Sequence, residues 1–182
     1  PADTELGFDV NPTGTKRAIE MHLRASGNSY TTLRIPFMME NLMRERDMAG
    51  LPANGVVDYG AEGTVAYYIS SGDMGLLAAA AFSDPEGWNG REVNMASDAL
   101  TYKEVAEVLS RVSGIDIPYR VAPWSEMRGP FVPNFQFFET LSREDYDIDE
   151  LRAEFPQIQT LEQYLISQNF GEKMRVLVEG AQ

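Results

Sequence analysis

The sequence predicts an α/β protein with a mainly parallel sheet, and three observations carry that expectation. Residues 12–47 read as helix, strand, Pro-marked turn and helix, the alternation that parallel sheets require. A second strand and helix follow at 91–114, with a capping box at the junction. Finally, 43% hydrophobic and 10% aromatic residues supply enough apolar surface to offset the entropy of ordering the backbone, so the chain is not disordered.

Taken in order, residues 12–26 form a helix whose Ile19 and Leu23 share one face, and Gly27 supplies a left-handed stop. Tyr30–Ile35 is rich in β-branched and aromatic residues and reads as a strand. Pro36 then marks a turn into a Met-rich helix over 37–47. Val56–Tyr59 and Thr64–Ile69 flank a Gly-containing connection, and alternation in the second predicts a half-buried strand. Ser71 is the expected N-cap of a helix over Asp73–Phe82, where Asp73 suits the positive end of the helix dipole.

Asp84-Pro85-Glu86-Gly87 closes that helix as a turn, and Arg91–Ala96 is the next strand. Thr101-x-x-Glu104 opens a helix carrying the stripe Val105, Val108, Leu109 and Val112, ended by Gly114. Ile117–Val121 is a further short strand. Composition then changes: 123–138 is crowded with Pro and aromatic residues, and the remainder is acidic and helical, with a second box at Thr160-x-x-Gln163. The division falls between a sheet-bearing part, 1–122, and a helical part, 123–182. The closing Gly171–Gln182 reads as a frayed end or as a last strand or helix through Met174–Val178.

A net charge of −13 opposes binding to a phosphate backbone, so nucleic acid is not an expected direct partner. With no cysteine and only His22, thiolate chemistry and Cys- or His-ligated metal sites are not expected. The apolar run Gly75–Phe82 is far shorter than the ~20 residues of a membrane-spanning helix, and no secretory signal is visible. The expected location is cytoplasmic. A start at Pro1 points to a processed or truncated chain.

No Gly-x-Gly-x-x-Gly follows any strand, and Gly60-x-x-Gly63 and Gly72-x-x-Gly75 sit in the wrong context for a phosphate cradle. Where an α/β strand breaks at its carboxyl end, ligands gather, which directs attention to Tyr30–Asn41. The pattern is that of one half of a nucleotide-binding fold without the half that holds the nucleotide.

Lys16-Arg-Ala-Ile-Glu20, Leu23-Arg24-x-x-Gly27, Tyr30-Thr-Thr-Leu-Arg34-Ile-Pro36, Glu40-Asn41-Leu42, Ile69-Ser-x-x-Asp73-x-Gly75, Asp84-Pro85 and Leu100-Thr101-Tyr-Lys-Glu104 together resemble the second half of NmrA-like proteins. These are atypical short-chain dehydrogenase/reductases that bind NAD(P) in a Rossmann fold. The resemblance runs from about residue 12 to about residue 168. It implies a Rossmann-like, mainly parallel sheet in its C-terminal part with a helical, aromatic cap on the substrate side, and it implies that roughly 100–130 preceding residues carry the Gly-rich turn.

Carried over by position, the resemblance makes Lys16 the lysine that reaches the nicotinamide ribose and favours negative charge on a reacting carbonyl. Spacing alone reads it as an exposed helical lysine. Pro36, Phe37, Met38, Met39, Glu40 and Asn41 match the loop along the nicotinamide, with Met38–Asn41 backbone groups facing the cofactor; the competing reading makes Met38, Met39, Leu42 and Met43 packing residues. Typical short-chain dehydrogenases place a catalytic Tyr four residues before the Lys, and that position here is Pro12, which cannot shuttle a proton. Tyr30, Tyr67 and Tyr68 are the nearby substitutes, each in a strand context that also suits packing.

Trp124, Phe131, Phe135, Phe137, Phe138 and Tyr146 form an aromatic group with two readings, a lid over a substrate pocket or a staple for the C-terminal helices. Trp124, Phe131, Phe135 and Phe138 are the candidate substrate contacts. Asp145-x-Asp147-x-Asp149 resembles a calcium loop but has Glu150 where Gly is needed and Pro156 where Glu is needed. His22 lies away from the Ile19 and Leu23 stripe and reads as a helical surface residue, and Asp73 has a structural role at its helix start.

The leading expectation is NADP- or NAD-dependent reduction of a small apolar carbonyl or quinone compound, with NADP favoured and with the cofactor held only where the N-terminal half is present. A non-catalytic NADP-sensing regulator acting through protein partners is the alternative, and a stand-alone interaction fold is a third. A sheet cut at one edge exposes unpaired strand and apolar surface, so the chain alone should form a homo-oligomer or recruit a companion chain. Multi-angle light scattering checks this: self-association is expected, and a well-behaved monomer counts against it.

Overall fold

The computed structural model of the chain describes residues 12–127 and 132–180. Helix α1 (Pro12–Ala25) opens the fold with Pro as its first residue, where the missing amide hydrogen costs no helical bond. Strand β1 (Thr32–Arg34) pairs in parallel with β5 (Glu92–Asn94). Pro36 follows, and the chain re-enters a different ladder as β2 (Phe37–Met38), parallel to β4 (Val65–Ile69). Proline has no N–H to donate, so the break falls where the ladder can spare one.

The expected continuous helix over 37–47 is therefore corrected. Phe37 and Met38 are strand, Met39–Met43 is a 3₁₀ turn, and helix α2 (Glu45–Asn54) starts after extended Arg44. The apolar side chains that suggested one helical stripe are divided between ladder and turn. Met39 is fully buried in the main core and pins the turn there.

Strand β4 is the centre of the largest sheet, ordered β2, β4, β6, with β6 (Asp98–Thr101) antiparallel to it. All five of its residues are buried rather than alternating, because its neighbours cover both faces. A third pair joins β3 (Val56–Tyr59) in parallel to β7 (Tyr119–Ala122). Three of the four pairings are parallel, as the sequence led one to expect.

Helix α3 (Ser71–Ser83) is capped by Ser70, whose hydroxyl accepts from the Asp73 N–H, one residue earlier than expected. Helix α4 (Tyr102–Ser113) carries the predicted capping box: Thr101 and Glu104 satisfy each other's backbone N–H groups, and left-handed Gly114 ends it. Its Val105, Val108 and Leu109 face the core with Tyr68, Met39 and the last helices. Helices α5 (Val132–Phe138), α6 (Ile148–Glu154), α7 (Leu161–Ser167) and α8 (Phe170–Gly180) complete the chain. The predicted box at Thr160 and Gln163 caps α7, while Met174 lies in a helix. Leu161, Leu165, Phe170 and Met174 share one cluster with α4.

Asp145 and Asp147 have structural tasks. Asp145 accepts from the Ser142 N–H, and Asp147 caps α6 through the Glu150 N–H. No helix among the described residues is long and apolar enough to cross a membrane.

Gly55 joins α2 to β3 at φ +67, donating its N–H to the Leu51 carbonyl. A Cβ there would lie 2.1 Å from the Pro118 carbonyl oxygen, which accepts the Val56 N–H and starts the β3–β7 ladder. Gly63 also has positive φ, +94, but open space beside it. Gly55→Ala is expected to lower the unfolding free energy by at least about 2 kcal/mol and Gly63→Ala by about 1 kcal/mol, because only the first adds a backbone clash to the strain. Denaturant titration of the two variants reads the difference.

Candidate functional site

The site is assembled at the carboxyl end of β1. An ion-pair ladder fixes α1 across it. Arg24 Nε donates to Glu92 Oε1 at 2.6 Å, Arg34 Nε and Nη2 donate to the two oxygens of Glu20 at 2.9 and 2.8 Å, and Arg34 Nη2 also reaches Glu92 Oε2 at 2.7 Å. Glu92, the register partner of Thr32, accepts from both Arg24 and Arg34, so the ladder ties α1 to both strands of the β1–β5 pair. Lys16 is exposed four residues before Glu20, and Pro36 follows Arg34 by two residues.

The Arg34 guanidinium holds the Glu20 carboxyl below its ordinary 4.5, and Arg24, then Arg34, do the same for Glu92. Glu20 in turn raises Arg34 further above its already high value.

Beyond Pro36 lies a pocket of about 140 Å³ lined by Phe37, Met38, Asn41, Leu42, Tyr68, Tyr102 and Phe135. Three residues of the expected cofactor loop and one expected substrate contact thus meet in one place. The Phe37 ring sits 6.0 Å from Tyr68 and 5.7 Å from Phe135, tilted by 33° and 41°, which are favourable aromatic geometries. Asn41 Oδ1 accepts from Arg44 Nη2 at 2.6 Å, which orients the amide.

The other loop residues face elsewhere. Met39 is core. Glu40 Oε1 accepts from the Ser71 N–H at 2.7 Å and the Ser71 hydroxyl at 2.5 Å, placing negative charge at the start of α3, where the dipole favours it. Its Oε2 is buried without a partner among the described residues. Burial, and then the Glu40 charge, pushes the Tyr164 phenol up to about 12.

Among the expected substrate contacts, Trp124 does not line this pocket: it stacks on Tyr59 at 6.1 Å and donates Nε1–H to Glu139 at 3.2 Å. Phe131 lies outside the described residues, as does the side chain of Phe138. Phe137 is half exposed, and Tyr146 stacks on Tyr67 at 4.0 Å in a separate cluster. The aromatic group is therefore divided: Phe135 lines the pocket while Tyr146 acts as packing.

Of the three tyrosines near Lys16 in sequence reasoning, Tyr67 donates to the Ser142 carbonyl and Tyr30 stands before β1. Only Tyr68 reaches the pocket. Tyr102 was not foreseen. The signal was available, since the capping box makes it the first residue of α4, but the unrecognised strand β6 hid its position beside β4.

Burial raises the Tyr68 phenol, helped by Tyr102 and Asp98, and raises Tyr102, helped by Asp58. Both stay protonated at neutral pH. They can donate hydrogen bonds, but their acidity is poorly matched to proton release near pH 7. Asp58 is fully buried and accepts from the Gly63 and Thr64 N–H groups and the Tyr119 hydroxyl.

An α/β fold with a ligand-sized pocket where β1 hands over to β2 is the arrangement of Rossmann-like nucleotide-binding proteins. The model of the NmrA-like family matches residues 9–178, and the chain belongs to that family. No curated protein matches its sequence.

Solved structures agree at the level of fold. The triphenylmethane reductase of Citrobacter sp., solved with NADP(H), superposes with a TM-score of 0.69 at 18% identity, covering 87% of this chain and 60% of that one. A nucleoside-diphosphate-sugar epimerase from Staphylococcus aureus gives 0.62 at 20% identity, covering 88% and 61%. NmrA, a negative transcriptional regulator, in complex with NAD gives 0.61 at 17%, covering 82% and 55%. The chain thus spans about three fifths of the length of these proteins.

The ladder makes stability pH-dependent with a definite sign. Folded-state values below 4.5 for Glu20 and Glu92 mean that the contribution is complete above that pH and is lost as pH falls through the depressed values. Hydrogen-exchange protection of α1 amides is expected to fall on acidification below pH 4.5, whereas Glu20→Gln should lower it already at pH 7 and flatten the acid dependence.

Proposed function

We propose that this chain is the substrate-side part of an NAD(P)H-dependent reductase acting on a small apolar carbonyl or quinone compound. The observation that carries this reading is the pocket beside Pro36, where Phe37, Met38 and Asn41 meet Phe135. Flat apolar walls and one oriented amide suit a nicotinamide ring and a planar substrate. The residues present fit the nicotinamide end of the cofactor; a Gly-rich phosphate cradle is not among them. When bound, the dinucleotide supplies the hydride.

The chain's own residues bind and orient. Support for Lys16 comes from the ion-pair ladder, which ties the helix carrying it to the strand that leads into Pro36. An ammonium there hydrogen-bonds ribose hydroxyls and favours negative charge developing on a carbonyl oxygen. Phe135 supplies an apolar wall of the pocket.

The second reading is an NADP-responsive regulator, favoured by Pro12 at the position of the proton-donating tyrosine. Two measurements separate them. The reductase reading expects NADPH oxidation with aldehydes or quinones and a fall in kcat/KM of about tenfold or more in Lys16→Met. NADP binding without turnover by a protein that includes the Gly-rich N-terminal half, coupled to partner capture, would instead establish the regulator; no NADP(H) binding by that longer protein in calorimetry ends both.

A further inference from the structure

Helix α3 turns no charge toward solvent. Its one charged side chain, Asp73, is buried and accepts from the Gln159 N–H at 3.1 Å. Met74, Leu77, Ala80 and Ala81 pack inward with Leu33 and Val93 of the β1–β5 pair. The opposite stripe, Gly72, Gly75, Leu76, Ala79 and Phe82, recurs at three- and four-residue spacing and is exposed, Phe82 to 85%. A surface helix shows charge on its outer side, as α4 does with Lys103, Glu107 and Arg111, whereas a helix apolar all round is one that neighbours cover.

The strand beneath is open as well. Thr32 donates its N–H to the Arg91 carbonyl at 2.9 Å, and the Arg34 carbonyl accepts from the Met95 N–H at 2.9 Å, so both residues turn their backbone groups to β5. Leu33, between them, turns its N–H and C=O to the other edge, where no strand pairs with β1 among the described residues. Its side chain lies in the cluster under α3, so the open edge and the uncharged face adjoin at one residue.

We propose that the free edge of β1 and the outer face of α3 form one docking surface for the nucleotide-binding half of the fold, which sets a parallel strand beside Leu33 and a helix against the Gly72–Phe82 stripe. This rests on the reading of the chain as the substrate-side part of a longer fold, and not on the reduction.

Connectivity favours that occupant over a second copy. Side chains alternate along β1, so Arg34 and its partner Glu20 place α1 on the face opposite α3. A helix packed on a sheet and leading into a parallel strand has the form of a crossover from a preceding parallel strand. Two copies related by a twofold axis would instead pair their identical β1 edges antiparallel, while a sheet with helices on both faces favours parallel neighbours. About two fifths of each solved neighbour has no counterpart in this chain, which is room for such a unit. Gly75 has open space where a Cβ would stand, and with Gly72 and Ala79 it lets a helix approach to the short end of the ~8–10 Å range.

The experiment compares the purified chain with a protein that includes the Gly-rich N-terminal half, by amide hydrogen exchange and thermal unfolding. The Leu33 and Ile35 amides are expected to exchange at least about a hundredfold more slowly in the longer protein. Phe82→Gln should leave the midpoint of the chain alone unchanged and lower that of the longer protein by at least about 4 °C. Ile166→Gln, at a position 60% exposed on α7, should alter neither. Equal exchange of Leu33 in the two wild-type proteins overturns the edge, and a longer protein indifferent to Phe82→Gln overturns the α3 face. Leu33 protection that rises with the concentration of the chain alone assigns the surface to a second copy and overturns the proposal. Absent NADPH turnover by the longer protein would sink the reductase reading and leave the protection and the midpoint shift in place, so the two failures are distinguishable.

Discussion

The structure depends on one missing hydrogen. Pro36 cannot donate to a ladder, so the strand that pairs with β5 through Arg34 has to end, and the chain is released to pair with β4 from Phe37, three residues later. Two sheets are joined at that point by a peptide that belongs to neither. Met39, buried completely, and Glu40, bonded to the start of α3, hold the far side of the crossing in place. Between those anchors Phe37, Met38 and Asn41 are left to line a pocket.

That division of labour explains which parts were legible in the sequence. Local signals with a unique chemical solution came through: the Thr101–Glu104 and Thr160–Gln163 boxes need their partners three residues on, and both caps form. The β1 strand and its Pro-marked end were visible for the same reason. The segment after Pro36 was misread because Met and Leu carry no preference between a short ladder, a 3₁₀ turn and a helix; Met39 is drawn inward by the tertiary core, which single-chain periodicity does not encode. Strand β6 was missed because Asp98–Thr101 acquires its strand character from pairing with buried β4. Trp124 and Phe135, neighbours in an aromatic-rich stretch, pack on different elements, and composition alone could not separate them.

Charge is distributed with a purpose that the net value conceals. The chain carries −13 overall, yet its pocket is neutral and aromatic. Carboxylates on either side of Pro36 are committed elsewhere: Glu20 and Glu92 to Arg34 and Arg24, and Glu40 to the α3 terminus. Salt should therefore loosen α1 more readily than it alters the pocket, since the ladder is partly exposed and the pocket has no ion pair to screen.

Tyr102 shows how burial takes a titrating group out of the chemistry beside a pocket. A phenol near an active site is ordinarily considered as an acid, but burial beside Asp58 raises Tyr102 out of that role. Its place is set by backbone chemistry, since it is the first residue of a helix whose start is determined by a capping box. The Tyr102 ring therefore serves as apolar wall beside Phe37 and Phe135, and the loop after Pro36 supplies the facing surface.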